Sequence, residues 1–326
     1  MTATLLILFL ALILDRLVGD PDKLWRRVPH PVVLLGRAIG LIDKLFNGKR
    51  LSADTKRFNG AAGIAVLLAA SLFLGFVLHA LLARLGPLGF VLEVVIVAIF
   101  LAQKSLHDHV RAVSRGLKRG GLDGGRQAVS MIVGRDPATL DEPAICRAGI
   151  ESLAENFSDG VVAPALWYAL LGLPGLLAYK ILNTADSMIG HKNAKYLDFG
   201  WASARLDDLA NWPAARLSIF FIAAGAWVHK SKAAARAAIG TALRDAGLHR
   251  SPNSGWPEAA MAGAVGIGLA GPRIYGGVRV DEPMMNASGR TVATVADIDL
   301  SLRIFYGACA SLAVFVLIVA LLAALL

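Results

Sequence analysis

The stretch AAGIAVLLAASLFLGFVLHALL, residues 61–82, decides the fold class, because it contains no Asp, Glu, Lys or Arg. A helix needs roughly 20 mostly apolar residues to cross a bilayer, and this stretch is long enough. The C-terminal stretch IFYGACASLAVFVLIVALLAALL, residues 304–326, has the same character. The sequence is 56% hydrophobic and 17% charged, whereas ordinary soluble domains carry about 25% charged residues. We therefore predict an all-α, polytopic integral membrane protein embedded in a lipid bilayer.

Further apolar segments flank these two and differ in how well they suit a straight crossing. They cover residues 2–14, 88–102, 161–182, 213–228 and 257–269. Segment 88–102 follows the first long stretch after a short turn, which predicts a helical hairpin. Segment 161–182 contains two prolines and two glycines, and such residues kink or break helices. We therefore expect broken or re-entrant helices among the proline-bearing segments.

The net charge of +9 comes from basic residues in the loops beside the apolar segments. Basic loops next to membrane helices set topology, so residues 15–60 and 103–147 are predicted to be cytoplasmic and no nucleic-acid partner is expected. Loops 192–205 and 230–250 are also basic. They would lie on alternating sides if every segment crossed once. Either the positive-inside rule fails here, or some segments are re-entrant or broken. In the second case, the polar motifs would share one cytoplasmic face.

The first acidic cluster is ESLAENFSDG, residues 151–160. On a helix, Glu151, Glu155 and Asp159 would lie on one face, where like charges repel each other. A shared cation would remove that repulsion, and Mg²⁺ prefers such oxygen ligands. A solvated helix face is the alternative interpretation.

The second cluster begins with KILNTADSMIGHKN, residues 180–193, and runs to residue 212. It mixes carboxylates, amides and cations between two apolar segments. Ionisable groups at such places are functional candidates, since cations suit phosphate oxygens and carboxylates suit Mg²⁺. A salt-bridge network between helices is the alternative. The candidate side chains are Lys180, Asn183, Asp186, Lys192, Asn193, Arg205, Asp207 and Asp208.

The third cluster is SPNSGWPEAAMAG, residues 251–263. Pro257 suits the first turn of a helix, and free amides at a helix N-terminus can receive a phosphate. Close packing would explain the small residues behind Pro257. It would not explain Asn253, Trp256 and Glu258, so the cluster is a candidate binding site.

Taken in order, these clusters resemble the adenosylcobinamide-phosphate synthase family of cobalamin biosynthesis, also called the CobD/CbiB family. The matching stretches are LDRLVGDP at 14–21, HPVVLLGR at 30–37, ESLAENFSDGVVAP at 151–164, YKILNTADSMIGHKNAKYLDFGWASARLDDLANWPAARL at 179–217, SPNSGWPEAAMAGA at 251–264 and YGG at 275–277. The resemblance implies an ATP-linked ligase that joins (R)-1-amino-2-propanol or its O-phosphate to the free propionate of adenosylcobyric acid, with Mg²⁺ and ATP required. It also suggests other late cobalamin-pathway membrane enzymes as partners.

The chemistry that the resemblance implies assigns expected roles to the clusters. Phosphate transfer requires a metal and cations, and amine attack requires a base. The expected catalytic residues are Glu155, Asp159, Asp186, Asp207 and Asp208; the expected Mg²⁺ ligands are Glu151, Glu155, Asp186 and Asp207; the expected substrate or phosphate ligands are His30, Lys180, Asn183, Lys192, Asn193, Arg205, Asn253, Ser254, Trp256 and Glu258. No GxxxxGK[ST] loop is present, so a Walker-type nucleotide site is not predicted.

The expected organisation is one membrane-embedded catalytic domain over residues 1–326, with a cytoplasmic helical insertion around 103–160. The expected location is the cell inner membrane, with the active face in the cytoplasm. A membrane transporter of a charged solute is the alternative function, since transporters also combine broken helices with buried charge. Transporters commonly contain inverted repeats, and none is visible in this sequence.

Overall fold

The computed structural model describes residues 1–133, 137–271, 273–275 and 278–325. Two glycines of the YGG motif, Gly276 and Gly277, therefore lie outside the described residues. The helices are α1 (Thr2–Leu17), α2 (Asp22–Trp25), α3 (Pro31–Phe46), α4 (Ala53–Ala83), α5 (Pro87–Ile99), α6 (Gln103–Val129), α7 (Glu142–Phe157), α8 (Ala163–Ile189), α9 (Trp201–His229), α10 (Lys232–Asp245), α11 (Gly255–Val265) and α12 (Val295–Leu325). A π-helical turn, Ser158–Val162, separates α7 from α8.

Within the described residues, four helical stretches are long and apolar enough to cross a membrane, which agrees with the predicted polytopic membrane fold. They are Ala53–Ala83, Pro87–Val129, Glu142–Ile189 and Val295–Leu325. The first of them exposes Phe73 and Phe76 on its surface. Large exposed aromatic side chains are costly in water and favourable against lipid chains.

The chain divides into two compact units. Unit 1 comprises Met1–Leu101, Ala163–Asn211 and Val316–Leu326, and unit 2 comprises Ala102–Val162 and Trp212–Phe315. In unit 1, α4 and α5 form the predicted hairpin, α4 packs on α8, and α1 packs on α5. A Cβ added to Gly75 of α4 would lie 2.5 Å from the Cα atom of Pro174 in α8. The glycine thus allows the two helix backbones to approach closely.

The predicted break in segment 161–182 is present in α8. Gly172 has φ +66° and ψ −153°, outside the helical region, and Pro174 follows it. Glycine adopts positive φ readily, and proline lacks the amide that would continue the helical hydrogen bonds. The helix is therefore interrupted near its middle.

In unit 2, α6 packs on α7, and α11 packs on both α7 and α10. Helix α6 is interrupted at Gly121, which has φ +57° and ψ −146°. Short strands follow α11. Strands β1 (Leu269–Ala270) and β4 (Met284–Met285) pair antiparallel, as do β2 (Arg273–Tyr275) and β3 (Val278–Val280). Strands of two or three residues are too short to leave an alternating pattern in the sequence.

Three apolar segments predicted from the sequence are not membrane-crossing candidates among the described residues. Segment 2–14 lies in α1, which has only 16 residues. Segment 213–228 is the second half of α9, and segment 257–269 contributes to α11, which ends at Val265. Helix α11 has 11 residues, whereas a crossing needs about 20. The short, buried α11 is therefore available to place polar groups at its N-terminus.

Candidate functional site

In unit 1, a chain of hydrogen bonds leads to a buried carboxylate. The Tyr179 hydroxyl donates to Oδ1 of Asn211 over 2.8 Å, and Nδ2 of Asn211 donates to Oδ2 of Asp207 over 2.9 Å. Nδ2 of Asn183 lies 3.4 Å from Oδ1 of Asp207. Helix α8 supplies Tyr179 and Asn183, and α9 supplies the other two residues. Because Oδ1 of Asn211 accepts the hydrogen bond from Tyr179, the side-chain NH₂ group of Asn211 faces Asp207.

Asp207 is only 7% exposed. Burial, and then the negative charge of Asp186, raise the pKa of Asp207 to about 7. Burial also raises the pKa of Asp208, against the opposing effect of the cations Arg205 and Lys192. The carboxylates and cations predicted from the second cluster are thus close enough to influence one another within unit 1. A buried carboxylate beside another is costly to ionise, and a bound cation would offset that cost.

The metal ligands expected from the sequence do not form one large group. No set of three or more His, Cys, Asp or Glu side chains among the described residues is arranged to hold a metal ion. Mg²⁺ is usually held by only one or two carboxylates together with waters and substrate phosphates. The neighbouring Asp186 and Asp207, with the amide of Asn183, therefore fit Mg²⁺ better as a partial site than as a complete protein cage.

Two other predicted ligands of unit 1 hold local structure. His30 accepts a hydrogen bond from the amide of Val32 at the start of α3, and its Nε2 lies 3.3 Å from Asp20. Oδ1 of Asn193 accepts hydrogen bonds from two backbone amides just after it in the loop before α9. These contacts fix backbone turns. Substrate binding by His30 and Asn193 stays a prediction.

Unit 1 also contains a polar group inside a helix that begins one of the membrane-crossing candidates. Glu93 of α5 is buried, accepts a hydrogen bond from the Tyr168 hydroxyl over 2.7 Å, and lies 3.0 Å from Nδ1 of His79. His79 of α4 is thus paired with the one acidic residue of α5.

In unit 2, the first and third clusters come together. The hydroxyl of Ser254, at the start of α11, donates to Oε1 of Glu155 on α7 over 2.8 Å. Ser254 is also 3.2 Å from the hydroxyl of Ser251. Glu155 and Ser254 are 99 residues apart in sequence. Their direct contact therefore supports a common site for the two motifs.

The acidic stripe of α7 differs from its predicted geometry. Glu151 is buried and accepts a hydrogen bond from the amide of Ala270, whose φ is +61°. The α-helix ends at Phe157, so Asp159 lies in the π-helical turn. The spacing of eight residues assumes a regular α-helix, and a wider π turn changes the direction of the following side chains. The shared cation expected for these three carboxylates is therefore not supported by their arrangement.

Glu258, in the first turn of α11, faces His249, which is not among the predicted site residues. Nε2 of His249 lies 3.7 Å from Oε1 of Glu258, and both side chains are buried. Nδ1 of His249 accepts a hydrogen bond from the amide of Ser251 over 3.0 Å. Nδ1 of His249 also lies 3.4 Å from the carbonyl oxygen of Ser251. In the tautomer that accepts the Ser251 amide at Nδ1, the ring proton is on Nε2, which faces Glu258.

Asn253 is held by Arg216 of α9. Nη1 of Arg216 donates to Oδ1 of Asn253 over 3.0 Å and to the carbonyl of Trp212, and Nη2 donates to the carbonyl of Pro252. The guanidinium carbon lies 4.4 Å from the ring centre of Trp212 and 4.7 Å from that of Trp256. Arg216 was not selected from the sequence, although its spacing of four from Trp212 places both on one helical face.

These motifs lie within the part of the chain that matches a known protein family. The CobD/Cbib protein family matches residues 8–305. The chain belongs to this family. Its role therefore lies in cobalamin biosynthesis, and the family implies a biosynthetic enzyme.

Individual relatives match along nearly their whole length. The cobalamin biosynthesis protein CobD of a Sinorhizobium species is 68% identical over 317 residues, covering 97% of this chain and 98% of the relative. The protein of the same name from Rhizobium meliloti is 67% identical, covering 94% and 93%. The one from Rhodobacter capsulatus is 45% identical, covering 84% of each chain. No solved structure matches the chain.

Proposed function

We propose that this protein is an ATP-dependent amide ligase of cobalamin biosynthesis. It joins (R)-1-amino-2-propanol, or the O-phosphate of that amine, to the free propionate carboxylate of adenosylcobyric acid. The observation that carries the proposal is the contact between Glu155 and Ser254 in unit 2. This contact combines two of the family's motifs into one polar site with a carboxylate suited to an amine.

The amine substrate arrives as an ammonium ion, because aliphatic amines have pKa values near 10. It must lose a proton before it can attack a carbonyl carbon. Glu155 is half-buried and accepts a hydrogen bond from Ser254. We assign it the role of binding the ammonium group and accepting its proton, with Ser254 holding the carboxylate in position.

The acid must be activated because a carboxylate does not condense with an amine in water. In the proposed reaction, the propionate oxygen takes the γ-phosphoryl group of ATP, which releases ADP and gives an acyl phosphate. The amine nitrogen then attacks the acyl carbon, the bond from carbon to the phosphate oxygen breaks, and phosphate leaves. The ammonium group loses one proton to Glu155 before it attacks, and the second proton, lost as the adduct collapses, leaves with the phosphate as HPO₄²⁻. The products are the amide, ADP and phosphate.

Unit 1 offers groups for the phosphates. Asp186 and Asp207 would hold Mg²⁺, which neutralises phosphate charge when bound. Lys192 and Arg205, which influence the charge of Asp208, would contact phosphate oxygens. The protein would lie in the cell inner membrane with these loops in the cytoplasm, as the basic loops favour.

The test is synthesis of the amide by purified full-length protein. The protein is incubated with adenosylcobyric acid and Mg·ATP, and with either aminopropanol or its phosphate, and the corrinoid mass is followed. We expect the mass of the amide only when nucleotide and Mg²⁺ are both present. Glu155→Gln should lower kcat by about 100-fold or more, as expected for loss of a general base.

Glu142→Gln is the matched control, because Glu142 is an exposed carboxylate on the same helix. It should keep normal activity. Amide formation at full rate without nucleotide would overturn the ATP-linked scheme. Equal activity of Glu155→Gln and the control would remove Glu155 from the reaction.

A transporter of a charged solute is the second candidate, favoured by the interruption of α8 and by buried Glu93 within a membrane-crossing stretch. Transporters commonly combine these two features. Solute uptake by protein-containing liposomes, with no amide formed in the same preparation, would support this candidate over the ligase.

A further inference from the structure

Arg216 is held in an environment that leaves its positive charge without a carboxylate partner among the described residues. Its three hydrogen bonds go to neutral acceptors, which are the side chain of Asn253 and the carbonyls of Trp212 and Pro252. The rings of Trp212 and Trp256 lie close to the guanidinium. A guanidinium has five N–H groups. Two of them therefore have no acceptor within the described part of the chain.

The two remaining N–H groups of Arg216 could bind a ligand, because Arg216 contacts the residue next to Ser254, the partner of Glu155. Arg216 binds Asn253, and Glu155 binds Ser254, the next residue along the chain. Consecutive Cα atoms are only about 3.8 Å apart. Unit 2 thus offers a cation and a carboxylate through two adjacent residues. A small ligand that carries both an ammonium group and an oxyanion would match this pair.

We propose that Arg216 binds the phosphate of a phosphorylated amine substrate while Glu155 binds its ammonium group, so that Arg216 selects the phosphorylated form of the amine. This inference rests on the proposed ligase function. In aminopropanol O-phosphate, two carbons separate the nitrogen from the phosphate-bearing oxygen, so the two charges of this molecule lie close together. An arginine fork suits phosphate because it can donate two parallel hydrogen bonds. The neighbouring tryptophan rings limit the side-chain motion of Arg216 and keep the charge in place.

The test compares two amines on the same enzyme. With saturating adenosylcobyric acid and Mg·ATP, kcat/KM is measured for aminopropanol phosphate and for aminopropanol. Arg216→Gln should lower kcat/KM for the phosphorylated amine by roughly 10- to 100-fold, the usual effect of losing a charge-assisted hydrogen bond. The value for the unphosphorylated amine should change less than about 3-fold, within the range of a neutral hydrogen bond. Arg216→Lys should give an intermediate loss, because it keeps the charge and loses the fork.

Arg236→Gln is the control for loss of a positive charge, since Arg236 is exposed on α10 in the same unit. It should leave both values unchanged. Equal losses for the two amines with Arg216→Gln would overturn the inference and assign Arg216 a structural role between the indole rings. A raised KM for adenosylcobyric acid with both amines would also overturn it, because the oxyanion would then be a corrin carboxylate.

A binding measurement separates this inference from the proposed function. Tryptophan fluorescence of the intact protein is titrated with aminopropanol phosphate, since two indoles lie beside Arg216. Saturable binding that weakens at least 10-fold in Arg216→Gln supports the phosphate assignment even if no amide is formed, in which case only the ligase proposal fails. Turnover with no difference in binding between the wild type and Arg216→Gln leaves the ligase standing and overturns the inference.

Discussion

Replacing Asp207 with Asn should stabilise the ligand-free protein at alkaline pH and at the same time abolish Mg²⁺-dependent activity. Asp207 is buried beside Asp186, and its pKa is raised from 3.8 to about 7. This rise in the pKa of Asp207 from 3.8 to about 7 corresponds to roughly 4 kcal/mol of ionisation cost in the folded protein. Asparagine has the same shape and carries no charge, so the variant avoids that cost.

The variant also loses one favourable contact. Asp207 accepts hydrogen bonds from the amides of both Asn211 and Asn183. Asparagine has only one oxygen, so one of these contacts is lost at about 1 kcal/mol. The net gain for Asp207→Asn is therefore roughly 3 kcal/mol when the wild-type carboxylate is fully ionised.

The sign of the pH dependence follows from the raised pKa. A carboxyl group whose folded-state pKa exceeds its unfolded value contributes full stability below pH 3.8 and loses it progressively up to about pH 7. Thermal unfolding in detergent should therefore give similar midpoints for wild type and Asp207→Asn near pH 4 to 5. By about pH 8 the variant should unfold roughly 5 °C or more above the wild type. Asp186→Asn should lower the pKa of Asp207 and produce part of the same gain.

Two results would refute different parts of this reasoning. If Asp207→Asn is less stable than wild type at about pH 8, the carboxylate is held by a cation, since breaking a buried ion pair is strongly destabilising. If Asp207→Asn retains near-normal turnover with an unchanged Mg²⁺ requirement, Asp207 is not part of the proposed metal site. Addition of Mg²⁺ should raise the unfolding midpoint of the wild type alone.

Two further predictions concern packing and topology. Gly75→Ala should destabilise unit 1 by about 1–3 kcal/mol, because its Cβ would collide with the backbone of α8 and overpacked helices must separate. Gly40→Ala, whose Cβ would meet no atom within 4 Å, should leave the unfolding midpoint unchanged or raise it. Cysteines introduced at Lys192 and Arg244 should react with a membrane-impermeant reagent from the same side of the membrane, because both basic loops are predicted to be cytoplasmic. The two native cysteines are buried, so their background labelling should be low. Labelling from opposite sides would contradict the single cytoplasmic face.

The apolar segments made much of the fold predictable. The hairpin of α4 and α5 and the C-terminal α12 follow from long runs without charge, because membrane helices must satisfy their own backbone groups. The interruption of α8 followed from Gly172 and Pro174, which act locally on the backbone. Such features depend only on neighbouring residues, so a single sequence contains them.

The pairings within the site were less accessible, because they depend on contacts between distant segments. The clusters at residues 151–160 and 251–263 were selected independently. Their meeting through Glu155 and Ser254 depends on how α7 packs against α11. The contacts of Arg216 and His249 could not be predicted for the same reason. Neither stands out in its own segment, and each gains significance only from the partner that the fold brings to it.

The site residues fall into two groups. Some hold the backbone through hydrogen bonds, and others carry a charge with no oppositely charged partner among the described residues, so mutations in the two groups should have different effects. Glu151 accepts a hydrogen bond from the backbone amide of Ala270, and His30 caps the N-terminus of α3. Replacing either residue should therefore reduce the yield of folded protein. Asp207 and Arg216 are held by neutral groups while their charges have no opposite charge hydrogen-bonded to them among the described residues. Holding a charge in such a place costs stability, and a ligand of opposite charge would offset that cost. Variants at these two positions should therefore fold well and fail to bind the ligand, as expected for binding residues and not for structural ones.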